Sequence, residues 1–421
     1  MNSSYAFKRN FYRDVEKAIG KSSVAFLLGP KGCGKTVCLK QLRDNFSYQN
    51  EFEEVVYIDA KNDLASADEK SSFIDGVIKS VYNNEKKLFL IDETTYLEQP
   101  DIAINCVEDS FTSLRNTNTK VVFAGNPSGA LECWGHRAFA GDAVFIRPDL
   151  ISYHEWLDFK GIAEVSEKTY KQFIFGIREF YTDFHSTQEY LQSCLDEAAV
   201  SNQRAAEMVL KNDCDGLTAD KLLDVLYAAL CDKLSERCNN YRNMSAHELK
   251  QALKFLKDCG IIAVTYISSS FDTKPYVVQD LLSGARNFSK SEILNNLKIS
   301  IKHPMFYVDI LKNILKDRLS EYPLESIAKA HIRGLLPDTG CFEYRDEQGN
   351  KIDYVRKNAR KAIEFSLSDE KVSQHFDVLP GGFEKTLLTK NTQGRQGDVK
   401  CVPYYRFIFD MSENSHASLL F

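Results

Sequence analysis

The residues best suited to chemistry are Gly29-Pro30-Lys31-Gly32-Cys33-Gly34-Lys35-Thr36, which fit G-x-x-x-x-G-K-[ST] at every fixed position. Glycines at those places let backbone N–H groups close around an anion, and a helix starting at the loop adds a favourable field. Lys35 is then the cation for the β- and γ-phosphates, and Thr36 the hydroxyl ligand of Mg²⁺. A second stretch, Leu88-Phe89-Leu90-Ile91-Asp92-Glu93, brings the matching acids at the end of an apolar run. Asp92, 57 residues after Lys35, suits the Mg²⁺ shell, and Glu93 suits polarisation of an attacking water. The pattern predicts binding and hydrolysis of a nucleoside triphosphate, with ATP and Mg²⁺ as its cofactors.

Three further polar positions are candidates for the same site. Lys120-Val121-Val122-Phe123-Ala124-Gly125-Asn126-Pro127-Ser128 is a strand ending in Gly-Asn, so Asn126 either holds the water and senses the γ-phosphate or serves only the turn before Pro127. Gly135-His136-Arg137 precedes the run Ala143-Val144-Phe145-Ile146, and Arg147 ends it. Either arginine suits charge neutralisation during phosphoryl transfer, in cis or on a neighbouring subunit, and either suits a solvated surface.

Such residues need a parallel sheet to hold them. Val24-Ala25-Phe26-Leu27-Leu28 is a strand-length run before the loop, and Val37 to Phe46 reads as the helix after it, with Val37, Leu39 and Leu42 as its apolar side. Val55 to Asp59 adds another strand, and residues 8–20 and 72–83 read as helices. Five strands with intervening helices describe an α/β sheet of the P-loop class over residues 1–150.

Strand signals then vanish, and residues 151–240 read as a helical lid, with helices at 170–184, 186–210 and 217–234. Within 241–300, Ser245 and Glu248 form a capping box, Leu249, Leu253 and Leu256 an apolar stripe, and Cys259-Gly260 a stop. With Ile261 to Ile267 and Tyr276-Val277-Val278 as a two-stranded wing, the unit reads as a winged helix. Its Lys250, Lys254 and Lys257 are offset by Glu248 and Asp258, which favours packing over DNA binding. Residues 301–421 read as an α/β tail: a helix started by Pro323-Leu324-Glu325 and running to about Leu335, strands at Cys341–Arg345 and Lys351–Val355 about the turn Asp346 to Asn350, then Ala362 to Ser366. Asp353 and Glu364 take the acidic places of a D…(D/E)-x-K metal site, with Glu325 as a third acid. Ser366 stands in the lysine place, which argues for a structural remnant. Arg356-Lys357-Asn358-Ala359-Arg360-Lys361 puts four cations in six residues, a phosphate-binding turn or a solvated one.

A formal charge of −6 argues against a protein that coats nucleic acid by bulk charge, and eleven scattered cysteines without a C-x-x-C pair argue against a zinc knuckle. No apolar run reaches membrane-spanning length, and the polar start lacks a hydrophobic segment, so a cytoplasmic protein with reduced thiols is expected.

Taken in order, Lys35-Thr36, Leu90-Ile91-Asp92-Glu93, Gly135-His136-Arg137 before Pro148-Asp149-Leu150-Ile151, Phe306-Tyr307-Val308-Asp309 and Ile352-Asp353-Tyr354-Val355 resemble the prokaryotic AAA-type ATPases with a C-terminal nuclease-like domain. The resemblance implies nucleotide and Mg²⁺ roles for Lys35, Thr36, Asp92 and Glu93, the family's arginine at Arg137, and a restriction-endonuclease-like tail. The chain departs from it in Lys31-Gly32-Cys33, in Ser366, and in lacking Gly-Gly-x-Pro between Ser186 and Leu210. The expected protein is an ATP-driven switch or motor with an inactive tail. The alternatives are an ATP-gated metal-dependent nuclease and an ATP-controlled DNA- or protein-binding module. Homo-oligomerisation is compatible with each.

Overall fold

The computed structural model describes residues 7–112, 117–126, 130–139, 141–181, 184–204, 214, 216–230, 243–271, 278, 289–315, 324–336, 340–366 and 376–413. The chain divides into two compact units. The first comprises residues 1–151, 191–215 and 258–260, the second residues 152–190, 216–257 and 261–421.

In the first unit α1 (Tyr12–Lys21), β1 (Val24–Leu28), α2 (Lys35–Gln49), β2 (Glu54–Asp59), α3 (Ala67–Tyr82), β3 (Lys87–Asp92), α4 (Pro100–Thr112), β4 (Lys120–Gly125), α5 (Ala130–Phe139) and β5 (Val144–Ile146) follow one another. The sheet order is β2-β3-β4-β1-β5, with every pairing parallel. Strand β1 is buried throughout, as its uninterrupted apolar run requires of a central parallel strand. Its side chains alternate: Val24, Phe26 and Leu28 join a core with α3, α4 and α5, while Ala25 and Leu27 join one with α1 and α2. The result is three layers, helix–sheet–helix.

One helix face differs from expectation. Val37 is exposed, and the buried face of α2 is Cys38, Leu39, Leu42 and Phe46. Residues 37 and 39 lie about 200° apart on a helix, so they cannot share a side.

The second unit begins with α6 (Tyr153–Lys160) and α7 (Glu167–Gly176), each started by a serine capping box. Helix α8 (Thr187–Arg204) passes into the first unit from Leu191 onward. Helices α9 (Ala219–Leu230) and α10 (Ala246–Asp258) follow. The expected capping box of α10 is present: the Glu248 N–H donates to Ser245 Oγ at 3.1 Å and the Ser245 N–H to Glu248 Oε2 at 2.8 Å. Leu249, Leu253 and Leu256 are buried, and Gly260 at φ 71° ends the run.

The wing takes another form. Strand β6 (Ile262–Ser268) runs antiparallel to β7 (Leu297–Ile301) and parallel to β8 (Cys341–Arg345), inside an eight-stranded sheet. A wing strand would lie at an edge, and the buried start of β6 suits an interior place. Tyr276 and Val277, the expected partner, lie outside the described residues. The sheet continues through β9 (Lys351–Arg356), β10 (Lys361–Phe365), β11 (Glu384–Thr389), β12 (Gly394–Gln396) and β13 (Val399–Pro403), in the order β12-β13-β11-β10-β9-β8-β6-β7. The turn at Asp346–Asn350 and the helix Leu324–Leu335 lie where the sequence places them. Phe306-Tyr307-Val308-Asp309 falls in the helix Pro304–Leu315, where Asp309 Oδ2 accepts from Thr187 Oγ1 at 2.6 Å and caps the start of α8.

Candidate nucleotide site

The order of the first sheet makes β4 the neighbour of both β3 and β1, so the loops after β1, β3 and β4 open at one carboxyl edge. This is where parallel α/β sheets take ligands. The loop after β1 turns through Gly32 at φ 80° and Gly34 at φ 95°, in the left-handed region that side chains avoid. A Cβ on Gly29 would lie 2.6 Å from both Cys33 Sγ and Pro148 Cγ. Lys35 is 8% exposed, and its ammonium donates to the carbonyls of Gly29 at 2.7 Å and Pro30 at 3.3 Å. Burial pushes that ammonium down, but the carboxylates of Glu93, Glu197 and Asp92 help bring the net shift upward. The described contacts therefore hold a charged lysine on backbone carbonyls and pair it with no carboxylate. Those features fit a nucleotide polyphosphate. Thr36, half-buried at the start of α2, and Asp92 are the residues that would hold its Mg²⁺, which acts as a Lewis acid on phosphoryl oxygens.

Asp92 is fully buried, accepting from Tyr57 Oη at 3.2 Å and from the Glu93 N–H at 3.0 Å. Both donors are neutral. Glu93 adopts φ 50° and ψ 44°, left-handed for a non-glycine residue and so a strained turn off the strand end. Desolvation first, then the nearby Glu197 carboxylate, push its carboxyl up to about 7. Asn126 is buried, and its Nδ2 donates to Glu197 Oε2 at 3.4 Å. Pro127 and Ser128, the rest of the expected turn, lie outside the described residues.

Four residues here were not foreseen. Arg9 donates to the carbonyls of Cys33 and, at 3.0 Å, Asp149, tying the entry segment to the loop. Ser193 accepts from Lys31 of the loop. Tyr57 serves Asp92, and Glu197 reaches Asn126 from α8. All are contacts across long stretches of chain, without a local pattern to mark them. Of the candidate arginines, Arg137 is exposed on α5, and Arg147 is exposed and paired with Glu132, Nε to Oε1 at 3.2 Å.

Residues 21–157 match the family model of the AAA domain. This segment is an AAA-type P-loop domain. No curated protein matches the chain. Solved structures similar to it include DnaA from Aquifex aeolicus bound to AMPPCP, 14% identical over 59% of this chain and 84% of that one, with a TM-score of 0.30. The ORC1 protein of Aeropyrum pernix in complex with DNA is 13% identical over 77% and 95%, at 0.31. Cdc6p from Pyrobaculum aerophilum is 14% identical over 76% and 97%, at 0.31. Matches at those scores transfer no ligand to the AAA domain of this chain.

The other candidate cluster lies in the second unit, outside the AAA domain. Asp353 on β9 and Glu364 on β10 do meet: the Asp353 N–H donates to Glu364 Oε2 at 2.8 Å, and the Phe365 N–H to Asp353 Oδ2 at 3.2 Å. Glu325 is not drawn in; it is half exposed and pairs with Lys329 one turn along its own helix, at 3.0 Å. The third buried acid is Glu343 on β8, which the sequence reading placed in a strand without a role. Arg333, 8% exposed, binds Asp353 at 2.9 Å and Glu343 at 3.3 Å; Lys351 adds 2.6 Å to Asp353, and Arg345 adds 2.8 Å to Glu343. Burial would raise Asp353, yet Arg333 and Lys351 hold it below the usual carboxylate value. Burial, then Asp353, push Glu364 up to about 8. Among the described residues no group of three His, Cys, Asp or Glu side chains could hold a metal ion. No described helix is long and apolar enough to cross a membrane.

Proposed function

We propose that the chain is an ATP-binding, Mg²⁺-dependent ATPase of the AAA type, working as a switch or motor. The observation that carries this reading is a charged, carbonyl-held Lys35 after β1 within electrostatic reach of Asp92 and Glu93 at the end of β3, on one carboxyl edge with β4 between. Lys35 and the loop amides bind and orient the polyphosphate, Thr36 and Asp92 hold its Mg²⁺, and Glu93 takes a proton from the attacking water. Burial and strain suit Glu93 to that work, since they leave a basic carboxylate aimed off the strand end. Arg137, exposed on α5, suits charge neutralisation in a neighbouring copy. A mass in solution that rises with ATP would support this trans role, and a monomer in both states would remove it. A cytoplasmic setting belongs to the same reading; the nine described cysteines are free thiols.

The test is turnover and binding in parallel. Glu93→Gln should bind ATP as the natural protein does and lose about 10²- to 10⁴-fold in kcat. Undiminished hydrolysis by that variant would sink the role given to Glu93.

For the tail, Asp353 and Glu364 on adjacent strands support the nuclease-like resemblance, and Arg333 and Lys351 on Asp353 support an inactive form of it. Incubation of single- and double-stranded DNA and RNA with Mg²⁺ or Mn²⁺, with and without ATP, should show no cleavage. Cleavage that is lost in Asp353→Ala would revive the ATP-gated nuclease.

A further inference from the structure

Helix α8 sets one face against the nucleotide site of the first unit. Ser193, Cys194 and Glu197, within one turn of each other, meet Lys31 of the loop and Asn126 after β4. Glu197 is 4% exposed and Asn126 is 2% exposed, so neither is solvated. Burying a carboxylate costs several kcal/mol unless it is satisfied. Glu197 nevertheless has one oxygen, Oε1, without a hydrogen-bond partner among the described residues, and the same holds for Asn126 Oδ1. Two orphaned acceptors at this place indicate a site arranged for something that donates.

The contact also decides which way the Asn126 amide points. A carboxylate only accepts hydrogen bonds, so the nitrogen of Asn126 must face Glu197 and the carbonyl must face away. An asparagine free to turn would offer its NH₂ to a γ-phosphate. One held in this way offers an acceptor instead, which a phosphate cannot use and a water can.

Resting on the ATPase reading above, we propose that Glu197 is a positioning residue of the nucleotide site: it holds the Asn126 amide so that the carbonyl accepts from the attacking water. A second consequence is electrostatic. Glu197 and the triphosphate are both negative and share the neighbourhood of Lys35, so Glu197 opposes nucleotide binding while it supports turnover.

Two substitutions separate the functions of the side chain. Glu197→Gln removes the charge and keeps an acceptor for the Asn126 nitrogen; Glu197→Met keeps the volume and has no comparable acceptor. Binding of the non-hydrolysable analogue AMPPCP with Mg²⁺ reads the electrostatic half without turnover, and both variants should bind it about threefold or more tightly than the natural protein. Turnover reads the positioning half: kcat should fall about tenfold in Glu197→Met and stay within about threefold in Glu197→Gln. In an Asn126→Ala background Glu197→Met should lower kcat no further, a non-additivity that loss of packing would not produce. Thermal melting of each variant identifies any that fails to fold, and the Gln variant alone then still reads the binding half. Unchanged AMPPCP affinity in the folded variants overturns the proposal, as does full kcat in Glu197→Met or additivity with Asn126→Ala. Equal turnover in the natural protein and Glu93→Gln would instead mean that the hydrolytic reading has failed, and the AMPPCP affinities would still decide whether Glu197 faces the triphosphate.

Discussion

Buried acids collect twice in this molecule, at the end of β3 and inside β8 and β9, and the two collections use their charges differently. In the second unit, Asp353 and Glu343 share the guanidinium of Arg333, and Lys351 and Arg345 complete the pairing. In the first, Asp92 takes neutral donors, Glu93 is held in a left-handed turn, and Lys35 rests on backbone carbonyls. Each has one carboxyl pushed up by burial and a neighbouring acid, Glu364 to about 8 and Glu93 to about 7. What differs is whether cation and acid are paired with one another. A cluster that closes on itself has nothing to offer a ligand; one that keeps lysine and acids apart is completed by a charged guest. Under the reading proposed above, that difference suits the first to a working site and the second to structure.

Removing the cation from each should break the comparison in opposite ways, and the larger effect belongs to the tail. Arg333→Met removes the buried cation that Asp353 and Glu343 share and leaves them only the more exposed Lys351 and Arg345, and breaking such a buried pair costs up to about 3–5 kcal/mol of stability. Chemical denaturation should show the loss, with no change in ATP binding. Lys35→Ala should do the reverse, weakening ATP about a hundredfold or more, roughly 2.7 kcal/mol, with little change in the denaturation midpoint. A stable Arg333→Met protein, or one that binds Mn²⁺ tightly in exchange, would return the tail to the working class.

How far this contrast was readable beforehand depends on the range of the interactions. The phosphate loop is local: eight consecutive residues carry glycine geometry, lysine and hydroxyl together, and the strand before it is one apolar run. The meeting of Asp353 and Glu364 was also legible, because a short turn forces their strands together. Arg333, Glu343 and Glu197 were not, since each acts across elements that only the fold brings near. The wing failed for the same reason, because the partners of β6 come from residues 297–301 and 342–344. Val37 is a different failure, one of angle along a helix rather than distance along the chain.

Glu364 carries its extra proton only when folded, because its folded value of about 8 lies above the ordinary 4.5. The unfolded chain then binds fewer protons between those values, so stability falls as pH rises through that window, by at most about 1.4 kcal/mol per pH unit. Asp353 runs the other way: its value is lowered, so its contribution is present at neutral pH and is lost as the solution is acidified below the ordinary 3.8. Denaturation at pH 5, 6.5 and 8 should show the alkaline decline in the natural protein and a flatter profile in Glu364→Gln. A decline that persists in Glu364→Gln would place the proton elsewhere.

The smallest effect is expected where the same chemistry meets water. Arg147 and Glu132 form an ion pair whose arginine side chain is 53% exposed, so the guanidinium keeps water as an alternative partner. Pairs of this kind contribute about 0–1 kcal/mol, and salt screens them further. Arg147→Ala should therefore leave the denaturation midpoint almost unchanged at 0.15 M salt, in contrast to Arg333→Met. It should also leave turnover unchanged, since Arg147 is paired with Glu132. Arg137→Ala, on α5, is the companion variant. A loss of turnover in Arg147→Ala and not in Arg137→Ala would transfer the phosphoryl-facing role to Arg147, and would mean that its pairing with Glu132 is given up when nucleotide binds.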